Sequence, residues 1–190
     1  MKNRPGIKAI LIVFSIVCTV LCTSCVQGQN EKKGKPMTNP YYSQTDTTHL
    51  NVSNAEWKKI LPADLYAVAR EQATERAFTG KYWDKDEKGT YYCAVCGNKL
   101  FNSTAKFASS CGWPSFFEAV RPNSVIYKED NSYGMHRVEV ICSRCDSHLG
   151  HIFDDGPAPT YKRFCMNSIS LTFEPFNQKS HTQQTASGNH

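Results

Sequence analysis

The sequence lacks a membrane-spanning segment of ordinary length. Its conspicuous apolar run, residues 9–21, is shorter than the roughly 20 residues that a spanning helix requires. Acidic residues are missing from the N-terminal end, where none precedes Glu31. Repeats of whole domain units are missing too. A strong basic excess is also absent. The formal charge of +5 includes Lys2, Arg4 and Lys8, and without them it falls to about +2. That is no footprint for nucleic acid. Nor is the chain poor in apolar residues. With 40% hydrophobic and 21% charged residues, it is not disordered throughout. Its 190 residues suit one domain with appendages.

What is present begins with an export pattern in residues 1–24. Lys2, Arg4 and Lys8 form a charged start, and residues 9–21 form an apolar run of the right length for a signal peptide. Cys25 follows small residues, as at a bacterial lipoprotein cleavage site, although Cys22 stands where Leu is usual. A Cys at the end of such a run favours lipidation of Cys25 and a membrane-anchored or periplasmic location. Free secretion after nearby cleavage and an uncleaved anchor remain as alternatives. Residues 25–52 are polar and read as a flexible tether, and residues 177–190 as a disordered tail.

The folded domain is expected over residues 53–176. Ser53-Asn54-Ala55-Glu56 is a capping-box pattern that opens a helix with Trp57, Ile60 and Leu61 on one face. Pro62 interrupts it, and residues 63–76 continue with helical spacing of Leu65, Val68 and Ala69. After Gly80 the pattern turns to short alternating or β-branched stretches at 91–94, 125–128, 138–141 and 169–173, separated by turn residues. This predicts a mainly β, α+β domain with helices first and antiparallel sheets after them.

Six of the nine cysteines lie between Cys93 and Cys165. Cys93-x-x-Cys96 and Cys142-x-x-Cys145 are two pairs whose four thiolates can close a tetrahedral Zn²⁺ site. Gly97 permits the tight turn of a knuckle. Four sulfurs leave no open coordination position, so one zinc per chain would be structural. Disulfides or a redox-active pair are the alternatives. Cys111 and Cys165 remain. Cys165 follows Lys162 and Arg163, whose charge can lower a thiol pKa. If that segment is a strand, Asn167 shares its face. Cys111 lies in a turn-like stretch, Ser109 to Pro114.

Together these segments resemble the B-type methionine sulfoxide reductases. The resemblance rests on Thr74-Glu75-Arg76-Ala77-Phe78-Thr79-Gly80, the two CxxC pairs, Lys106-Phe107, Gly112-Trp113-Pro114-Ser115-Phe116, the run from His148 to Gly156, and Arg163-Phe164-Cys165-Met166-Asn167-Ser168. The family commonly has Tyr at position 164 and Gly at position 73, where this chain has Phe164 and Ala73. The resemblance implies two antiparallel sheets with N-terminal helices packed outside. It implies reduction of the R epimer of methionine sulfoxide, free or in proteins. Cys165 would be the nucleophile and Cys111 the resolving cysteine. Trp113 would stack on the substrate methyl, with Phe164 beside it. His148, His151 and Asn167 would bind or protonate the sulfoxide oxygen, with Arg163 and Asp154 or Asp155 nearby. The partners would be oxidised proteins and a thioredoxin-like dithiol, with no nucleic acid, contact with a membrane only through lipid, and a monomeric state.

The chemistry needs such a set. A sulfoxide sulfur becomes electrophilic when its oxygen is protonated, so a thiolate and an acid must act together. A sulfenic acid is protected from further oxidation by condensing with a second thiol. Blander readings stand beside each assignment. Trp113 could be core, the histidines zinc ligands or surface groups, and Asp154 and Asp155 plain turn residues. Asn167 could cap a turn. The competing function is a zinc-stabilised binding module with a structural Cys111–Cys165 disulfide.

Overall fold

The computed structural model describes residues 39–176. The export pattern, Cys25, residues 26–38 and the tail from 177 lie outside the described residues. Among the described residues two helices come first, α1 (Asn54–Ile60) and α2 (Ala63–Glu71). Ser53 caps α1 by accepting from Glu56 N at 3.2 Å. The Glu56 carboxylate pairs with Lys59, so half of the expected capping box forms. Helix α2 ends at Glu71 rather than running to 76. Gln72 turns left-handed (φ 59°) and closes the helix. The next residues are thereby freed to reach the site.

Nine strands follow: β1 (Gly89–Cys93), β2 (Lys99–Asn102), β3 (Lys106–Phe107), β4 (Ser115–Phe116), β5 (Val125–Asp130), β6 (Arg137–Cys142), β7 (His148–Phe153), β8 (Arg163–Met166) and β9 (Leu171–Pro175). They form two antiparallel sheets, β2-β1-β9 and β3-β4-β8-β7-β6-β5. The expected fold class is therefore the observed one. An aromatic seam fills the core. Phe101 stacks on Phe116 (4.4 Å, 12°), Tyr91 meets Phe116 edge-on (5.0 Å), and Phe164 meets Phe101 edge-on (5.6 Å). No helix among the described residues is long and apolar enough to cross a membrane.

Residues 39–52, expected within the tether, instead form an arm that packs on the domain. Tyr41 stacks edge-on against the buried Trp57 at 5.2 Å. Ser43 N donates to Cys96 O, and Leu50 N to Arg144 O. The buried Arg144 is the centre of this attachment. Its guanidinium donates to Tyr41 O (2.8 Å), Cys96 O (2.6 Å) and Asp46 (2.8 Å). Polar composition misled here because the arm is held by backbone groups and one arginine rather than by apolar periodicity. Gly97 (φ 80°) also admits the arm, since a Cβ there would meet Ser43 O at 2.7 Å.

Replacing Arg144 by Met strands buried carbonyls and should destabilise the domain by about 3 kcal/mol. Limited proteolysis should then cut first within residues 39–52. Unchanged stability and unchanged resistance there would show that the Tyr41–Trp57 contact alone holds the arm.

Candidate active site

The knuckles are the turns of two hairpins. Cys93 to Cys96 joins β1 to β2, and Cys142 to Cys145 joins β6 to β7. In each, the residue after the second cysteine has a left-handed backbone (Gly97 φ 80°, Asp146 φ 56°). In each, that residue's N–H returns to the carbonyl of the first cysteine, at 2.8 and 2.9 Å. The four sulfurs are buried, lie within 4.8 Å of one another, and could hold a metal. They come from different sheets, so a metal held there would fasten one sheet to the other. All four are free thiols, and His148 and His151 are not among the ligand group.

Cys165 lies in the middle of the larger sheet. It pairs with Ser115 on β4 and with His151 on β7, and His151 pairs in turn with Glu139 on β6. Directly opposed residues share a face, so Ser115, Cys165, His151 and Glu139 form one row across four strands. The neighbouring row, Phe116, Phe164 and Ile152, faces the other way. Phe164 is thus a core residue, 4% exposed, on the face opposite Cys165. The expectation that it binds substrate is corrected by strand alternation.

Residues three apart on a regular strand point to opposite faces. His148 and His151 nevertheless bring their rings to 5.4 Å. The register between β6 and β7 shifts between Val140 and Ile141, which turns both histidines to one side. Gly150 makes this possible: a Cβ there would sit 2.1 Å from Cys165 O. Each imidazole is held by a carboxylate. His148 Nδ1 lies 2.7 Å from Glu139 Oε1, and His151 Nε2 lies 2.7 Å from Asp130 Oδ2. Glu139 also accepts from Gln72 (3.0 Å), and Asp130 from Arg137 (2.6 Å). His148 Nε2 is buried with no partner among the described residues. Both rings line a cleft of about 470 Å³ with Thr74, Asp130 and Glu139. Burial pushes the His151 pKa down, with the charges of Arg137 and His148, against the pull of Asp130.

Arg163 is oriented by Asp155, which accepts two hydrogen bonds (2.8 and 2.9 Å), and its guanidinium lies over the Phe153 ring at 4.5 Å. Asp154 pairs instead with Lys162 at the surface. The two aspartates are thereby told apart. Asn167 is buried, accepts from Glu75 N (3.0 Å) and donates to Leu149 O (3.2 Å). Glu75 returns both carboxylate oxygens to Ser168 N and Ile169 N. Its carbonyl accepts from Trp113 Nε1 at 3.2 Å. Asn167 and Glu75 therefore tie the segment after α2 to the end of β8 and fix the Trp113 ring. Glu75, Glu139 and Asp130 were not singled out as site residues from the sequence. Glu139 carried a usable signal, an acid between Val138 and Val140 in a strand that runs into a CxxC pair.

Cys111 Sγ lies 3.5 Å from Cys165 Sγ and 3.4 Å from Ser115 Oγ. Burial pushes the Cys111 thiol up, but hydrogen bonding with Ser109, Ser115, Trp113 and Cys165 outweighs it and brings it to about 7. Cys165 is pushed up to about 12 by burial and by Cys111, against the pull of Arg163. Of the two basic neighbours expected to lower Cys165, only Arg163 does so, and the net direction is upward. Lys162 is taken by Asp154, and burial outweighs Arg163. The pair carries one negative charge between these values. Alkylation of the reduced protein should rise with pH around a midpoint near 7. In Cys111→Ser the midpoint for Cys165 should move up from 7 while staying below 12. An unchanged midpoint would place the first ionisation on Cys165.

A model of the SelR domain matches residues 61–175. The peptide methionine sulfoxide reductase MsrB of Methanosarcina barkeri (strain Fusaro / DSM 804) is 55% identical over 122 residues, 64% of this chain and 86% of that protein. That of Thiobacillus denitrificans (strain ATCC 25259 / T1) is 54% identical over 123 residues, 65% of this chain and 93% of that protein. That of Agrobacterium fabrum (strain C58 / ATCC 33970) is 47% identical over 133 residues, covering 70% and 98%. The matched span carries both CxxC pairs, the histidine strand and the paired thiols, and on that basis the chain belongs to the SelR-domain family of methionine sulfoxide reductases.

Proposed function

We propose that the chain reduces the R epimer of methionine sulfoxide, in proteins or free, as a repair enzyme outside the cytoplasm. The observation that carries this reading is the pair of sulfurs 3.5 Å apart, set in one row with His151 in a chain whose relatives are named peptide methionine sulfoxide reductases. Cys165 releases its proton to solvent, and Arg163 steadies the charge left on its sulfur. The Cys165 thiolate attacks the sulfoxide sulfur while the oxygen gains a proton from a histidine of the cleft. The sulfoxide S–O bond breaks, its oxygen passes with the proton to the Cys165 sulfur, and methionine leaves while Cys165 becomes a sulfenic acid. Cys111 then attacks that sulfur, a disulfide forms, and water departs. A thioredoxin-like dithiol restores both thiols by exchange. Glu139 and Asp130 hold the two imidazoles, and Asp155 holds Arg163. Trp113 offers an aromatic face to the substrate methyl.

Zinc is the metal that we assign to the four cysteines. Zn–S bonds of about 2.3 Å put tetrahedral sulfurs roughly 3.8 Å apart. The Cys93–Cys145 and Cys96–Cys142 separations of 3.7 and 3.6 Å fit that shell. The ion would be structural and one per chain. We further propose export, with residues 1–24 removed and Cys25 lipidated, and a monomer, since one chain supplies the whole site. Its dithiol donor would be a periplasmic or membrane-linked protein.

Cys165→Ser should abolish reduction, by at least about a thousandfold. Cys111→Ser should give one turnover and fail to recycle with a thioredoxin-like donor. Mass spectrometry after one turnover should find the Cys111–Cys165 disulfide, and in the exported protein a lipid on Cys25. A Cys111 variant that recycles normally would assign resolution to another thiol. Turnover absent with every dithiol donor would leave a binding module in place of the enzyme.

Metal analysis of the reduced domain should find about one zinc per chain, and chelation should unfold it. Metal-free protein with disulfides at both CxxC pairs would overturn the assignment.

A further inference from the structure

Phe78 is 55% exposed, although phenylalanine is ordinarily buried. It also holds a left-handed backbone, φ 65°, which is a genuine outlier for a bulky residue. Glycine or asparagine would relieve that conformation. The strain is locked in by the loop that carries Cys111, because Phe78 N donates to Gly112 O at 2.8 Å. The ring lies over Gly112, where a Cβ would meet Phe78 Cδ2 at 2.9 Å. One edge rests on Trp83 at 5.4 Å, nearly perpendicular, and much of the rest of the ring faces solvent. An unfavourable backbone that presents an apolar ring to water marks a functional position.

We infer that Phe78 forms an apolar subsite for the residue next to methionine sulfoxide in a polypeptide substrate. The inference rests on the proposed reductase reading of the Cys111–Cys165 site. Phe78 lies three residues from Glu75, whose carbonyl fixes Trp113, and it touches the loop between Cys111 and Trp113. A chain that places its oxidised methionine against Trp113 must continue past this rim. An apolar side chain there covers the exposed Phe78 ring. Free methionine sulfoxide has no such side chain and gains nothing from it. Phe78 therefore sets preference for unfolded, apolar stretches of protein over the free amino acid.

The test compares Phe78→Gly with the parent on free methionine R-sulfoxide and on capped tripeptides with leucine or glycine flanking the sulfoxide. Glycine keeps the left-handed turn without strain, so the variant should be at least as stable as the parent. Its kcat/KM on the leucine-flanked peptide should fall about tenfold, through KM. Activity on the free amino acid and on the glycine-flanked peptide should stay within about twofold. Phe78→Leu should restore most of the loss. An equal loss on all three substrates, with a lower melting temperature, would make Phe78 a packing residue and overturn the inference. A parent that discriminates between the peptides no differently from the variant also overturns it. A parent inactive on every substrate would remove the reductase reading, and this inference with it.

Discussion

Four buried sulfurs within 4.8 Å are the constraint on which the rest of the structure depends. One pair sits at the turn from β1 to β2 in the small sheet, the other at the turn from β6 to β7 in the large one. The helices are short, and several strands have only two to four residues. A domain of this kind has little regular structure with which to hold its sheets in register. A metal bound by the four sulfurs would do so at one end, and the Tyr91–Phe101–Phe116–Phe164 seam does so between the sheets. Arg144 adds a third tie by donating to Cys96 O from within the second knuckle while it holds the N-terminal arm. Strand β7 leaves the knuckle directly, so the same fastening sets the height of His148 and His151 beside Cys165.

Much of this was legible in the sequence. The CxxC spacing is a local signature, and the knuckle turns required Gly97 and a residue such as Asp146 that tolerates a left-handed backbone. The helix opening at Ser53 and strands β1, β5, β6 and β9 followed from capping and alternation, with ends displaced by a few residues. Strands β7 and β8 did not announce themselves. His148-Leu149-Gly150-His151 carries a glycine and an irregular register, and Arg163 to Met166 is too short for a pattern. Helix α2 ends five residues short of the expected 76, although nothing in Gln72-Ala73-Thr74 forbids a helix. The left-handed turn at Gln72 comes with tertiary contacts, among them Gln72 to Glu139. The arm over residues 39–52 was hidden for a similar reason, since backbone donors leave no trace in composition.

At the site, residue types were easier to read than residue geometry. Cys165, Cys111, Trp113, Arg163 and both histidines occupy one region, and Asp155 rather than Asp154 serves Arg163. Phe164 fell to strand alternation: one step from Cys165 is enough to send a side chain into the core. The pairing of the carboxylates with the histidines leaves no local trace, because Glu139 and Asp130 lie 9 and 21 positions away and only strand pairing brings them near. The charge on the two thiols departs from expectation because only one of the two basic neighbours in sequence, Arg163, acts on Cys165 in space, and burial outweighs it. Lys162 turns outward, and Ser109 and Ser115 do for Cys111 what the lysine was expected to do for Cys165.

The placement of the two cysteines has a mechanical consequence. Cys165 is locked in a strand paired on both sides, whereas Cys111 sits in a loop between β3 and β4. Closing their sulfurs from 3.5 Å to a bond of about 2 Å is a stroke of roughly an ångström and a half. The loop can supply that stroke while the sheet stays still. Little reorganisation then separates the reduced from the oxidised protein. In the proposed cycle an oxidised Cys165 would meet its partner within the reach of thermal motion, and would have little time in which to be destroyed by a second oxidant.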